Sequence, residues 1–198
     1  VSRQLNQLPE LQHNLGETSR KLKPFEMWSA TRHNLSENQG QLVSHLIRSG
    51  SIVSDTVAKV FRSVDRKIFV PFESQNSAYE DRPLSIGNNQ TISAPHIHAY
   101  ALELILPVFQ RYSSTPNTTH SFSLLDVGCG SGYFSALLAT ASPPQSVVYA
   151  IDCFPDLVEG TRLACHAQGL TSAKVKTFLG DGWKGLPSFA PFDVIHVG

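Results

Sequence analysis

The sequence predicts an α/β fold in which a mostly parallel sheet carries helices on both faces. Three observations lead there. From Phe122 onward, short apolar runs (Phe122–Val127, Val147–Ile151, Val175–Leu179, Val194–Val197) alternate with helix-length stretches, Tyr133–Thr140 and Pro155–Gln168. Hydrophobic residues make up 41% of the chain and charged residues 16%, the balance of an ordinary globular domain. A triple-glycine turn, Gly128-Cys129-Gly130-Ser131-Gly132, joins the first of those runs to the first of those helical stretches.

Taken in order, residues 1–26 read as a polar extension ending near Pro24, and residues 27–198 as one domain. Leu42, Val43, Leu46 and Ile47 recur at helical spacing, with Gly50 as the stop. Ser54 is placed to cap a second helix with the stripe Val57, Val60, Phe61 and Val64. Pro71 to Gln90 reads as loop-rich. Pro95 suits the first turn of a third helix carrying Ala101, Leu102, Ile105 and Leu106. The four strands and two helices named above complete the chain.

Composition narrows the function classes. Lys plus Arg and Asp plus Glu each number 16, so the net charge is zero and no overall field draws the molecule to nucleic acid or anionic membrane. The longest apolar stretch, Ala99 to Phe109, is interrupted by Glu103 and Pro107 and is too short to cross a bilayer. Residues 1–26 lack the apolar core of a secretory signal. The three cysteines, Cys129, Cys153 and Cys165, show neither a disulfide framework nor zinc spacing, which points to the cytoplasm.

The glycine turn is the sharpest chemical feature. Glycines permit positive φ and remove the Cβ atoms that would bar a ligand. At the carboxyl end of a parallel strand they form the crevice where such sheets bind nucleotides. Asp152 ends the next strand, at about the separation from the turn where a carboxylate accepts ribose hydroxyls, and Asp181 ends the one after, within reach of an adenine edge. The spacing is G-x-G-x-G rather than G-x-G-x-x-G, and Asp126 precedes it. An acidic neighbour suits a cationic ligand better than a pyrophosphate. S-adenosylmethionine, with its ammonium and sulfonium, is that kind of nucleoside. The set Asp126, Gly128, Gly130, Gly132, Asp152 and Asp181 therefore reads as the cofactor site of a Rossmann-like S-adenosylmethionine-dependent methyltransferase fold.

Upstream runs Ile86-Gly87-Asn88-Asn89-Gln90-Thr91-Ile92-Ser93-Ala94-Pro95-His96-Ile97-His98-Ala99. With the glycine turn, and with Gly180-Asp181-Gly182 ahead of Phe192-Asp193-Val194-Ile195-His196-Val197-Gly198, this closely resembles the protein-L-isoaspartate (D-aspartate) O-methyltransferases from about Trp28 onward. The resemblance implies a cytosolic, monomeric repair enzyme acting on isoaspartyl-containing proteins. It makes Ser93 the active-site residue and places Gln90, Thr91, Ile92, Ser93, His98, Asp152, Asp181 and Gly182 at the cofactor pocket. It also implies that the family's last three strands lie beyond Gly198, so the domain is expected to be truncated at its C-terminus.

The chemistry requires little of Ser93. An isoaspartyl carboxylate is ionised at neutral pH, so methyl transfer needs no general base. A hydroxyl need only hold the oxygen that does not attack. A plain helix cap before Pro95 is the other reading of Ser93. His96 and His98, two apart on a helix, point in different directions and are not a metal pair; no metal is expected. Tyr79, Asp81 and Pro83 either shape a peptide groove or form a surface turn. Competing functions are a non-catalytic S-adenosylmethionine-binding adaptor, a small-molecule methyltransferase and, last, a nicotinamide oxidoreductase.

Overall fold

A computed structural model describes residues 36–114 and 121–198; the polar extension expected at 1–26 lies outside them. Helix α1 (Gln39–Arg48) opens on Asn38, whose side chain accepts from the Gln41 N–H, and buries Leu42, Val43 and Leu46. Gly50, at φ +77°, ends the turn that follows. Helix α2 (Asp55–Ser63) is capped by Ser54, which accepts from the Val57 N–H, as its sequence predicts. A cap of this kind contributes about 1 kcal/mol. Helix α3 (Pro95–Ser113) supplies a second support there. Its buried Glu103 accepts from the Val53 and Ser54 N–H groups, each at 2.8 Å, and so closes the start of α2.

The loop-rich reading of Pro71 to Gln90 needs correction. Two short 3-10 turns, Arg66–Phe69 and Phe72–Ser77, lead into strand β1 (Leu84–Gly87), which pairs antiparallel with β2 (Gln90–Ile92). Asn88 (φ 52°) and Asn89 (φ 56°) form the two-residue turn between them. Both central residues are left-handed, which is the turn whose twist matches a hairpin and which asparagine tolerates. Punctuation residues that suggest a loop are here the hairpin itself. Leu84, Ile86 and Ile92 bury its inner side.

The main sheet is parallel, ordered β5-β4-β3-β6, from β3 (Ser123–Val127), β4 (Val147–Asp152), β5 (Val175–Leu179) and β6 (Val194–Val197). Helices α4 (Tyr133–Ala141) and α5 (Pro155–Ala167) provide the β3–β4 and β4–β5 crossovers, and two 3-10 turns, Gly182–Lys184 and Pro187–Phe189, lie in the return from β5 to β6. The four strands and two helices fall within a residue or so of the sequence expectation.

Register sorts the side chains. Leu124 lies beside Val148 and Val194, and Val148 beside Val175, so these share one face. That face joins the helical core through Leu137, Leu138, Leu102 and Phe61, all fully buried. Burying each such side chain stabilises the fold by roughly 1.5–3 kcal/mol. On the other face Tyr149 packs against Phe178, Phe189 and Phe192, while Ile195 and Val197 are exposed. Asp126 and His196 occupy the helical face near the carboxyl ends of their strands, and there the site forms.

Candidate active site

The glycine turn follows β3 directly. Gly128, Gly130 and Gly132 all have positive φ, at 73°, 56° and 83°. Gly128 and Cys129 donate to the Ile151 carbonyl at 2.9 and 3.1 Å, fastening the turn to β4. At Gly132 a Cβ would lie 2.6 Å from Thr161 Cγ2, so part of the glycine requirement is close packing against α5 rather than room for a ligand. Thr161, fully buried, donates to the Gly130 carbonyl at 3.0 Å. Asp152 holds the same turn from the other side, accepting from Gly130 N–H at 2.9 Å and Phe154 N–H at 3.1 Å.

Of the cavities that adjoin this turn, two hold the residues singled out in the sequence. The smaller, about 220 Å³, is lined by Thr91, Ile92, Ser93, His98, Asp126 and His196 with the turn itself. The larger, about 630 Å³, includes Asp152, Asp181, Gly182 and the exposed Trp183. Gly128, Val197 and Gly198 line both. The residues expected at the site are thus brought together with two exceptions. Gln90 is exposed on the hairpin, its side chain donating to the Asn88 carbonyl at 3.3 Å, and lines neither cavity. Gly132 caps α4 and also lines neither.

Ser93 is not a helix cap. The cap position of α3 is Ala94, with no side-chain capping bond. The Ser93 carbonyl accepts from Arg66 Nη2 at 3.0 Å, so the backbone is anchored while the side chain lines the smaller cavity. Arg66 is fully buried, and burial pushes its guanidinium down to about 10, so it remains charged at neutral pH. Its charge centre lies 5.3 Å from the Tyr133 ring centroid. Neither Arg66 nor this anchorage is visible in the sequence pattern.

His98 is buried between the Tyr133 and Phe134 rings, at centroid distances of 5.3 and 5.4 Å. Burial, with Arg66 adding to it, pushes the imidazole well below its ordinary value, so this ring is neutral. Its Nδ1 is buried with no partner among the described residues. His96 points elsewhere: its ring and backbone N–H both engage Asp81 Oδ1, at 2.8 and 3.0 Å. Tyr79 donates to Asp65 at 2.9 Å. The loop residues Tyr79 and Asp81 therefore hold the fold together. Among the described residues no group of three or more His, Cys, Asp or Glu side chains could hold a metal ion.

Asp126 differs from its expected form. It is 1% exposed, and both oxygens are engaged, Oδ2 by the Ser135 hydroxyl at 2.5 Å and Oδ1 by His196 Nδ1 at 2.7 Å. It lines the smaller cavity with both oxygens already engaged. The signal for His196 was present in the sequence: a polar residue inside an otherwise apolar strand, Val194-Ile195-His196-Val197.

An S-adenosylmethionine molecule fits these residues. The turn and the two strand-end carboxylates offer the nucleoside a crevice, and the partnerless His98 Nδ1 offers its amino-acid end a polar contact. Fold and site together define a Rossmann-like S-adenosylmethionine-dependent methyltransferase domain. The comparisons narrow the class. Residues 37–198 match the profile of the protein-L-isoaspartate(D-aspartate) O-methyltransferases, and the chain belongs to that family.

A protein-L-isoaspartate O-methyltransferase of Ignicoccus hospitalis is 39% identical over 163 residues, covering 82% of this chain and 71% of its own length. One from Aeropyrum pernix is 42% identical over 157 residues, covering 79% of this chain and 56% of its own length. The chain thus spans little more than half of the second relative. Among solved structures, one from Plasmodium falciparum in complex with S-adenosyl-L-homocysteine, described as a protein-L-isoaspartate O-methyltransferase, superimposes with a TM-score of 0.68 at 26% identity. That match covers 82% of this chain and 74% of the other.

Proposed function

We propose that this protein transfers the methyl group of S-adenosylmethionine to the free carboxylate of L-isoaspartyl residues in damaged proteins. The observation that carries the reading is the smaller cavity, which Ser93 and the glycine turn line together. In this reading the protein is a cytosolic monomer whose partners are isoaspartyl-containing proteins, not nucleic acid or membrane.

S-adenosylmethionine supplies an electrophilic methyl group on a sulfonium. Gly128 and Gly130 would give it close backbone approach, Asp152 and Asp181 would hold the nucleoside, and Thr91, Ile92 and His98 would wall its methionine end; these residues line the two cavities. The substrate carboxylate arrives already ionised, so no residue need remove a proton. Ser93 orients it by donating to the oxygen that does not react. Buried Ile92 and Phe134 keep water from the reacting atoms. Alignment of this kind lowers a bimolecular barrier by roughly 7–11 kcal/mol. Methyl transfer releases S-adenosylhomocysteine; the neighbouring backbone nitrogen then attacks the ester carbonyl, and loss of its proton and of methoxide, together as methanol, closes the succinimide unaided.

The test uses methyl-labelled S-adenosylmethionine and two peptides differing only in Asp or isoAsp. Base-labile label on the isoAsp peptide alone is expected; label on neither points to a non-catalytic adaptor. Ser93→Ala should lower the rate about ten- to a hundredfold, the worth of a lost hydrogen bond to a charged group, with cofactor affinity retained. An unchanged rate would remove Ser93 from the mechanism.

A further inference from the structure

We propose that His196 is a second residue that grips the substrate carboxylate, its ring nitrogen adding a donor to the hydroxyl of Ser93. The inference rests on the isoaspartyl reading above and adds a residue to it.

Strand register makes the arrangement. β6 runs parallel to β3 with His196 directly beside Asp126, so both side chains rise from the same face of the sheet. His196 Nδ1 bonds Asp126 Oδ1 at 2.7 Å, and Asp126 is fixed in turn by Ser135. The imidazole packs against Phe134 with centroids 4.2 Å apart. Carboxylate on one side and phenyl ring on another leave the imidazole one orientation. With Nδ1 committed, Nε2 is its only remaining polar atom, and no described residue bonds it. The side chain is 21% exposed, and it lines the smaller cavity together with Ser93.

The other lining side chains do not compete for this role. His98 lines the same cavity but is buried and neutral, with Arg66 close enough to oppose a second charge. Asp126 would repel a carboxylate if it faced the cavity bare, and His196 stands in front of it. His196 engages Asp126 through Nδ1 and turns Nε2 to the incoming carboxylate as a hydrogen-bond donor. Its part is orientation, with no covalent step. A charge-assisted bond of this type discriminates a carboxylate from its neutral carboxamide.

Two carboxylates reach such a site: that of the peptide, and that of the cofactor's amino-acid tail. The experiment separates them. Full-length wild-type protein and His196→Asn, whose amide can still bond Asp126 but offers nothing at the Nε2 position, are titrated calorimetrically with three probes. These are an isoAsp peptide and its carboxamide counterpart, each with S-adenosylhomocysteine present, and S-adenosylhomocysteine alone. The wild type should prefer carboxylate over carboxamide by about ten- to a hundredfold. His196→Asn should lose that preference, with S-adenosylhomocysteine affinity within about twofold of wild type.

An intact preference in the variant overturns the inference. So does weakened S-adenosylhomocysteine binding with the preference intact, which assigns the ring to the cofactor tail. A wild-type protein that fails to methylate the isoAsp peptide overturns the parent reading and this one with it. Should the substitution unfold the chain, nitrogen NMR of the wild-type imidazole decides. Its Nε2 resonance should move on adding the isoAsp peptide and stay fixed with the carboxamide; movement with neither overturns the proposal.

Discussion

Arg66 is fully buried, yet among the described residues no carboxylate pairs with it and two of its guanidinium nitrogens lack partners. Its bonds go to two carbonyls, Ser93 at 3.0 Å and Arg82 at 3.4 Å. Stability and function should therefore separate at this position. Arg66→Met removes an uncompensated buried charge along with those bonds, and the two effects oppose each other. The net change in unfolding free energy should stay below about 1.5 kcal/mol. The backbone of Ser93, however, loses its anchor, and kcat/KM for an isoAsp peptide should fall about tenfold or more, as misplacement near a reacting group does. Urea melts and steady-state kinetics on one preparation check both halves; an unchanged kcat/KM would detach Arg66 from the placement of Ser93. Residues such as Ser93, His98 and the glycines were legible because motif and spacing name them. Arg66 was not, because the carbonyls it holds are distant in the chain, and His196 gave only the signal of a polar residue in an apolar strand, its partner Asp126 lying 70 positions away.

At the scale of elements, the sequence was most informative where local physics decides. Ser54, Gly50 and Pro95 mark helix ends by capping, left-handed backbone and fixed φ, and the strands from Phe122 onward follow from apolar runs alone. The β1–β2 hairpin was lost because each strand is short, only 4 and 3 residues, and the turn residues outweigh them. Its tip is tied down by tertiary structure: Asn88 Nδ2 donates to Asp156 at 2.7 Å, at the start of α5. Asn88→Ala should cost about 1–2 kcal/mol, combining left-handed strain with the lost bond. Asn89→Gly keeps the left-handed turn at no steric cost and should leave stability within about 0.5 kcal/mol. Chemical denaturation of the two variants tests the turn. Equal losses at both positions would mean that the tip is not held as described.

The whole molecule carries no net charge at neutral pH, and within its response to acid particular buried groups have separable effects. His98 is the chief of these. Burial first, then Arg66 and the neighbouring histidines, push its imidazole well below the ordinary 6.5. As pH falls through 6.5 the unfolded chain gains a proton at this residue and the folded chain does not, so stability declines on that side. One such proton gives a slope approaching about 1.4 kcal/mol per pH unit. Asp81 acts lower on the scale. Burial raises its carboxyl, but the bonds from His96 and the nearby His45 outweigh this and hold it below 3.8. Its contribution is complete above that value and fades only as pH drops further. Between pH 7 and pH 5.5 the His98 effect should therefore be seen free of the Asp81 one. His98→Gln, which cannot titrate, should show a loss of stability over that interval smaller than the wild type's by about 1 kcal/mol. Urea midpoints at the two pH values measure it. Parallel losses in both proteins would mean that the folded chain accepts a proton at His98, and that the wall of the smaller cavity is wetter and more polar than its packing against Tyr133 and Phe134 requires.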